Sequence, residues 1–473
     1  MTPSPATPLE LTGPEMRTLV DAAMNRIVVH LESLPEQPAF DLDGAAELAR
    51  SLAEPMPERG VPHDQALDLV FRAAPKSFNT AGPGYLAYIP GGGLFHAALA
   101  DLVADAVNRY VGVWLAAPGL AQLEANVVRW FSEIVGYPPA ARGMLTSGGS
   151  LANFSAIVTA RRERLPADFL RGTVYASDQV HHSITKAAIL AGLPPERVRV
   201  VPSDARFRLR LDALETLIAA DREAGLEPFL LVTSAGTTNT GAVDDLEGAA
   251  AVAERHGLWH HADAAYGGFF ALTERGHRVL RGLERADSIT LDPHKGLFLP
   301  YGTGSLLVRD GAALERSHAL EAEYLPPMQE DAEFVDFCQI SPELSRPFRG
   351  LRVWLPFKLA GAGAFRAQLD EKLDLAHWAH ERLREVEGVE IVAEPQLSIV
   401  AFRLTRPGLD ADGMNRLNRE LLERINARRR VYLTGTTVRG AFVLRICVLS
   451  FRTHLERMEQ GLQDIRRAVE ELR

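Results

Sequence analysis

The chain has 473 residues, 47% of them hydrophobic, enough for a large core divided among two or three subdomains. A formal net charge of -10, with arginines scattered among acids, argues against nucleic acid or an anionic membrane surface as a partner. Cys338 and Cys447 stand far apart, a spacing that predicts neither a disulfide framework nor a metal site.

The Pro-rich start lacks the regions of a signal peptide, and no apolar run approaches the ~20 residues that span a bilayer, so a cytoplasmic protein is expected. Residues 14–33 read as a helix with apolar positions Met16, Leu19, Val20, Ala23, Ile27 and Leu31, followed by helices near 43–53 and 63–73. An arm of this size cannot enclose its own core, so it is expected to pack on the body of the chain or on a second subunit. Residues 81–93, Ala-Gly-Pro-Gly-Tyr-Leu-Ala-Tyr-Ile-Pro-Gly-Gly-Gly, have loop chemistry and carry Tyr85 and Tyr88, either to line a pocket or to pack. Residues 94–109 and 118–135 read as long, largely buried helices. From 143 to 310, short apolar strands at 173–176, 198–201, 229–233, 258–262 and 288–291 alternate with helices at 151–163, 183–190, 211–224 and 246–256. That alternation predicts an α/β layer with a mostly parallel central sheet, and 304–308 reads as one further, antiparallel strand. The long irregular stretch 321–347 is of the kind that carries function or moves. A helix at about 352–386 leads into strands near 389–392, 398–404 and 441–449 and helices near 411–427 and 453–471. The expected division is an N-terminal helical arm over 1–85, a large α/β domain over 86–360 and a small α+β C-terminal domain over 361–473.

Lysine occurs at only five positions: Lys76, Lys186, Lys295, Lys358 and Lys372. Arginine stays protonated, whereas a buried lysine can give up its proton and act as an amine nucleophile. Lys295 closes Ser-Ile-Thr-Leu-Asp-Pro-His-Lys, at the end of a predicted strand, and strand ends of open α/β sheets are where ligands bind. A surface loop lysine is the bland alternative. The turn Thr-Ser-Gly-Gly-Ser at 146–150 opens a helix and suits a phosphate, although an N-cap explains Ser150 equally well. Asp263 ends another apolar strand and is followed by small residues that let a flat ring approach; a structural Asp is the alternative. Adjacent strand residues face opposite ways, so His260 and His261 do not share an ion. His181 and the hydroxyl-rich loop 236–241 leave two more strands at the same edge. A phosphate turn, an imidazole, a hydroxyl loop, a carboxylate and a lysine together meet the needs of pyridoxal phosphate.

With these segments the chain resembles the group II pyridoxal-phosphate-dependent amino-acid decarboxylases, the family of aromatic-amino-acid, glutamate and cysteine-sulfinate decarboxylases. The likeness runs from about Tyr85 to Arg445. It is carried by Asp292-Pro293-His294-Lys295, His261-Ala262-Asp263-Ala264-Ala265-Tyr266 and Ser177-Asp178-Gln179-Val180-His181, with looser matches at 146–153, 236–238, 347–349 and 442–445. The resemblance implies a fold-type-I homodimer with active sites at the subunit interface and pyridoxal 5'-phosphate as cofactor. It assigns Lys295 to the Schiff base, Asp263 to the pyridinium nitrogen, and His181 and Ala265 to the two faces of the ring. Gly149, Ser150, Asn153 and His294 fall at the phosphate end, and Thr238 near the cofactor hydroxyl or the substrate carboxylate. The implied reaction takes an L-amino acid through a quinonoid to the amine and carbon dioxide, and Tyr85, Tyr88, Trp114 and Phe337 would suit an aromatic side chain.

One position departs from the pattern. Aromatic members of the family carry a loop tyrosine that helps to protonate the quinonoid, and counting back from Arg349 puts Phe337 there. In plant relatives that exchange accompanies oxygen-dependent conversion to an aldehyde. Three readings stay open: decarboxylation with His181, His182 or another loop residue as proton donor; aldehyde synthesis; and a carbon–carbon lyase or a cofactor-binding protein without turnover. Arg349 and Arg445 stay unassigned.

Overall fold

Two sheets organise the chain in the computed structural model, which describes residues 9–320, 323, 325, 328–329, 331 and 333–473. The first contains β1 (Arg142–Thr146), β2 (Gly172–Ser177), β3 (Val198–Val201), β4 (Glu227–Ser234), β5 (Trp259–Asp263), β6 (Ser288–Leu291) and β7 (Gly304–Val308), in the order β1-β7-β6-β5-β4-β2-β3. β7 runs antiparallel to β1 and β6, and all other neighbours are parallel. Every strand except β7 therefore points the same way, and their carboxyl ends share one edge. Strand side chains alternate between faces, and the alternation divides two cores. Leu145 and Leu307 join Val127 and Phe131 on one side, while Met144, Leu306 and Val308 join Ala152, Ala156 and Ala160 on the other. Coverage on both faces explains why β2, β5, β6 and β7 are buried from end to end.

The second sheet is antiparallel, with β8 (Val389–Ala393), β9 (Ile399–Leu404), β10 (Thr434–Val438) and β11 (Ala441–Cys447) in the order β10-β11-β9-β8. Phe402 and Leu444 on this sheet meet Leu421 and Ile425 of helix Ala411–Ala427 and Ile465 of helix Leu455–Glu471. Helix Arg349–Arg384 links the two halves. It breaks at Gly361, where φ 75° and ψ 154° are open only to glycine, and then supplies Phe365 and Leu369 to the first core and Ala376 and Leu383 to the second. This is an α/β fold with a mostly parallel central sheet and a separate C-terminal domain.

Several expectations need correction. β1, β10 and helix Ala312–His318 have no counterpart in the predicted elements. β10 is Thr-Gly-Thr-Thr-Val, too polar to read as a strand, and its pairing with β11 forms it. Helix Phe95–Val107 is not largely buried: its small face, Ala97, Ala100 and Ala104, is covered, while Leu99, Leu102, Val103 and Val107 stay exposed. Helices Gly13–Ser33, Ala45–Ser51 and His63–Ala73 bury no residue. Arg26 ties the first of them to the third through Asp64 and Asp68, at 3.1 and 2.8 Å. Among the described residues, no helix is long and apolar enough to cross a membrane.

Candidate active site

The carboxyl ends of β1, β2, β4, β5 and β6 border a cavity of about 300 Å3. At the end of β1 the chain turns through Ser147 and Gly148 into helix Gly149–Arg164. Gly148, at φ 158° and ψ 174°, is the capping residue and no side chain caps the helix. Ser150 is thus inside the first turn, which removes the plain N-cap explanation for it. The N–H groups and dipole of that turn are left to an anion. A Cβ on Gly149 would lie 3.0 Å from Asp292 Oδ2 and 3.3 Å from Ala265 Cβ, so glycine keeps the space between these turns open.

Lys295 follows β6 by one helical turn, which brings it over Asp292: Nζ lies 2.8 Å from Oδ2. Burial works against the ammonium, but the charge and hydrogen bond of Asp292, with Asp263 behind them, more than offset it and raise the Lys295 pKa. Asp292 Oδ1 is buried and has no hydrogen-bond partner among the described residues. His294 Nδ1 donates to the Thr303 carbonyl at 2.6 Å, and burial lowers its pKa, so the ring is neutral with its proton on that nitrogen. The Gly-rich segment approaches this turn from behind. A Cβ on Gly91 would fall 2.1 Å from the His294 carbonyl oxygen.

Asp263 ends β5, where Oδ1 accepts from the Ala265 N–H at 3.2 Å and Oδ2 from Asn153 Nδ2 at 3.0 Å. Asn153 thereby departs from its expected place at the phosphate end. Its amide also bonds Ser183, Thr290 and His261, which leaves no polar position for a phosphate. His181, beyond β2, has Nδ1 2.8 Å from Ser183 Oγ, and burial lowers its pKa. His260 and His261 reach different partners, Thr233 on one side and Ser288 with Asn153 on the other.

Gly149, Ser150, Asn153, His181, Thr238, Asp263, Ala265, His294 and Lys295 all line this one cavity. The four candidates for substrate contact do not line it: Tyr85, Trp114 and Phe337 are held by packing in their own chain, and Tyr88 is half exposed. Tyr85 is buried against Tyr432. Tyr88 sits at φ 48° with its carbonyl on Arg445. Trp114 stacks on Phe334 at 4.4 Å. Phe337 is 1% exposed, under the Arg346 guanidinium. Arg349 pairs with Glu343, and Arg445 is held by Asn239, Thr434 and Tyr88. Asp292, Ser183, Ser234, Thr237 and Tyr266, to which the sequence pattern assigns no individual role, also line the cavity. Asp292 was legible as the residue one helical turn before the lysine; Tyr266, bonded to Ser398 of the C-terminal domain, was not.

An amine at a strand end, an uncapped helix start and a held carboxylate, all facing one cavity, fit pyridoxal 5'-phosphate and define a pyridoxal-phosphate enzyme. Residues 73–405 match the family model described as pyridoxal-dependent decarboxylase conserved domain, and the chain belongs to that family of carboxy-lyases. It is 34% identical over 467 residues to an aromatic-L-amino-acid decarboxylase of Bacillus atrophaeus, covering 98% of this chain and 97% of the relative. Among solved structures, the Oryza sativa TDC with PLP and tryptamine superposes with TM-score 0.94 at 27% identity, over 98% of this chain and 100% of that one. The Rhodiola rosea 4-hydroxyphenylacetaldehyde synthase gives 0.89 at 25% identity, over 98% and 99%.

Proposed function

We propose that the protein decarboxylates an aromatic L-amino acid to the corresponding amine. The observation that carries the reading is the Lys295 amine inside a cavity that also holds Asp263, His181 and the uncapped helix start; the aromatic preference rests on the names of its relatives. The chemistry supplied by pyridoxal 5'-phosphate is an aldehyde for the amino group and a ring that accepts the electrons left when carbon dioxide departs.

The residues act as follows. Gly149 and Ser150 present helix N–H groups to the phosphate, with His294 beside them. Lys295 would hold the cofactor through its amine, the group that an incoming substrate amine would replace. It is released with Asp292 as its counter-ion, the pairing in which it can hold a proton. Asp263 retains a proton on the cofactor's ring nitrogen, and Ala265 and His181 bound the ring. Phe337 is packed away from the cavity, and proton delivery to the α-carbon falls to a group that faces it, such as His181.

A homodimer with shared sites accompanies this reading. Met16, Val20, Val29, Leu99, Leu102, Val103 and Val107 are apolar and exposed in the single chain, and among the described residues Tyr266 is the one Phe, Tyr or Trp that lines the cavity. Aldehyde synthesis is the second reading, favoured by the likeness to an aldehyde synthase. A panel of aromatic and acidic amino acids is assayed for carbon dioxide, oxygen uptake and peroxide. Carbon dioxide from aromatic substrates without peroxide is expected. Stoichiometric peroxide moves the assignment to the second reading, and no carbon dioxide from any substrate rejects both.

A further inference from the structure

We infer that Asn153 is a positioning residue that ties Asp263 and His181 to one directed chain of hydrogen bonds beginning at Trp259. The inference rests on the cofactor roles proposed above for Asp263 and His181.

The direction of the chain follows from what each group can donate. A carboxylate oxygen only accepts, so Asn153 turns its NH2 toward Asp263 Oδ2, 3.0 Å away. Its Oδ1 then lies 3.0 Å from His261 Nε2 and 2.7 Å from Thr290 Oγ1, and both must donate to it. Burial pushes the His261 pKa down to about 4, so the ring is neutral. With the proton at Nε2, His261 Nδ1 accepts from Ser288 Oγ at 2.8 Å. Ser288 in turn accepts from the Trp259 indole N–H at 2.8 Å, a group that can only donate. Both ends of the chain have one option each; between them Thr290 Oγ1 also lies 3.4 Å from His261 Nε2, and its 2.7 Å bond to Asn153 Oδ1 is the shorter.

A branch runs to His181. The second N–H of Asn153 goes to Ser183 Oγ at 2.9 Å, which turns the Ser183 hydrogen toward His181 Nδ1 at 2.8 Å. The backbone N–H of Ser183 meets the same nitrogen at 3.3 Å. Two donors on Nδ1 put the His181 proton on Nε2. Asn153, Ser183, His261, Ser288 and Thr290 are each at most 3% exposed, so water cannot substitute for a lost bond. The chain holds Asp263 in one orientation as an acceptor and gives His181 a single tautomer. One asparagine sets both.

Asn153→Asp tests this, because it keeps the shape and exchanges both donors for acceptors. Ionised, the new carboxylate repels Asp263; protonated, it has one hydrogen for the two acceptors that Asn153 serves. In the holoenzyme, loss of a hydrogen bond to a charged group predicts a cofactor dissociation constant raised about tenfold or more. The pH dependence of the visible band of the lysine-bound cofactor is expected to shift from that of the wild type. Asp263→Asn is measured in parallel. If that variant keeps wild-type cofactor affinity and spectrum, the role proposed for Asp263 fails. If it is impaired while Asn153→Asp keeps wild-type affinity and the wild-type pH dependence of the band, the present inference is overturned. Nitrogen-15 NMR of histidine-labelled wild-type holoenzyme tests the same chain without a substitution, with His181→Asn and His261→Asn assigning the signals. Neutral Nε2–H tautomers at both rings are expected; an Nδ1–H tautomer or an imidazolium at either one refutes the chain.

Discussion

Replacing Gly91 by alanine probes how the Gly-rich segment supports the lysine turn without touching the cavity. The added Cβ would sit 2.1 Å from the His294 carbonyl oxygen and 3.5 Å from that of Leu299, and contacts below 3.0 Å essentially do not occur. The obstruction is backbone, so no side chain can swing away, and the two segments must part by about 1 Å, a displacement that costs on the order of 100-fold in rate when it reaches a reacting group. Lys295 is the next residue after His294 and takes the shift directly. The assay is carbon dioxide release at saturating cofactor and substrate, with the thermal midpoint of the apoenzyme as a control for folding. A variant that unfolds normally and retains a rate within about threefold of wild type would refute the argument.

Asp292→Asn removes the carboxylate that keeps the Lys295 pKa raised, so the free amine is reached at lower pH. The pH profile of cofactor capture by the apoenzyme, followed as growth of the visible band, is expected to move downward; an unmoved profile contradicts it. The sign for stability is the opposite of an acid's: the pair contributes fully below the ordinary lysine value of 10.5 and its contribution is lost as pH rises through the raised value, so only the wild type gains this loss at alkaline pH. Glu124→Gln breaks a pair with Arg346 at 2.5 Å in which both side chains are 0% exposed, stranding a guanidinium above Phe337. A loss of about 3–5 kcal/mol in denaturant unfolding is expected, and one below about 1 kcal/mol would count against it.

The sequence by itself determined the elements whose signal is local. Strands at 198–201, 288–291 and 304–308 carry their own apolar runs and stand where the pattern puts them. The same holds for the strand-end positions of Lys295, Asp263 and His181, because a motif directly after an apolar run must emerge at that run's carboxyl end. Tertiary structure alone decided matters that depend on residues far apart in the chain. Asn153 reads as part of a phosphate turn, yet β5 and β6 lie beside its helix and supply the partners that claim its amide. Phe337 reads as a loop residue over a site, yet Arg346 and the core of Met144, Ala152 and Leu306 enclose it. β10 has no hydrophobic pattern and exists because β11 offers it an edge. Local periodicity records which residues need burial; which of them meet, and which polar group answers another, is set by the packing of segments a hundred residues apart.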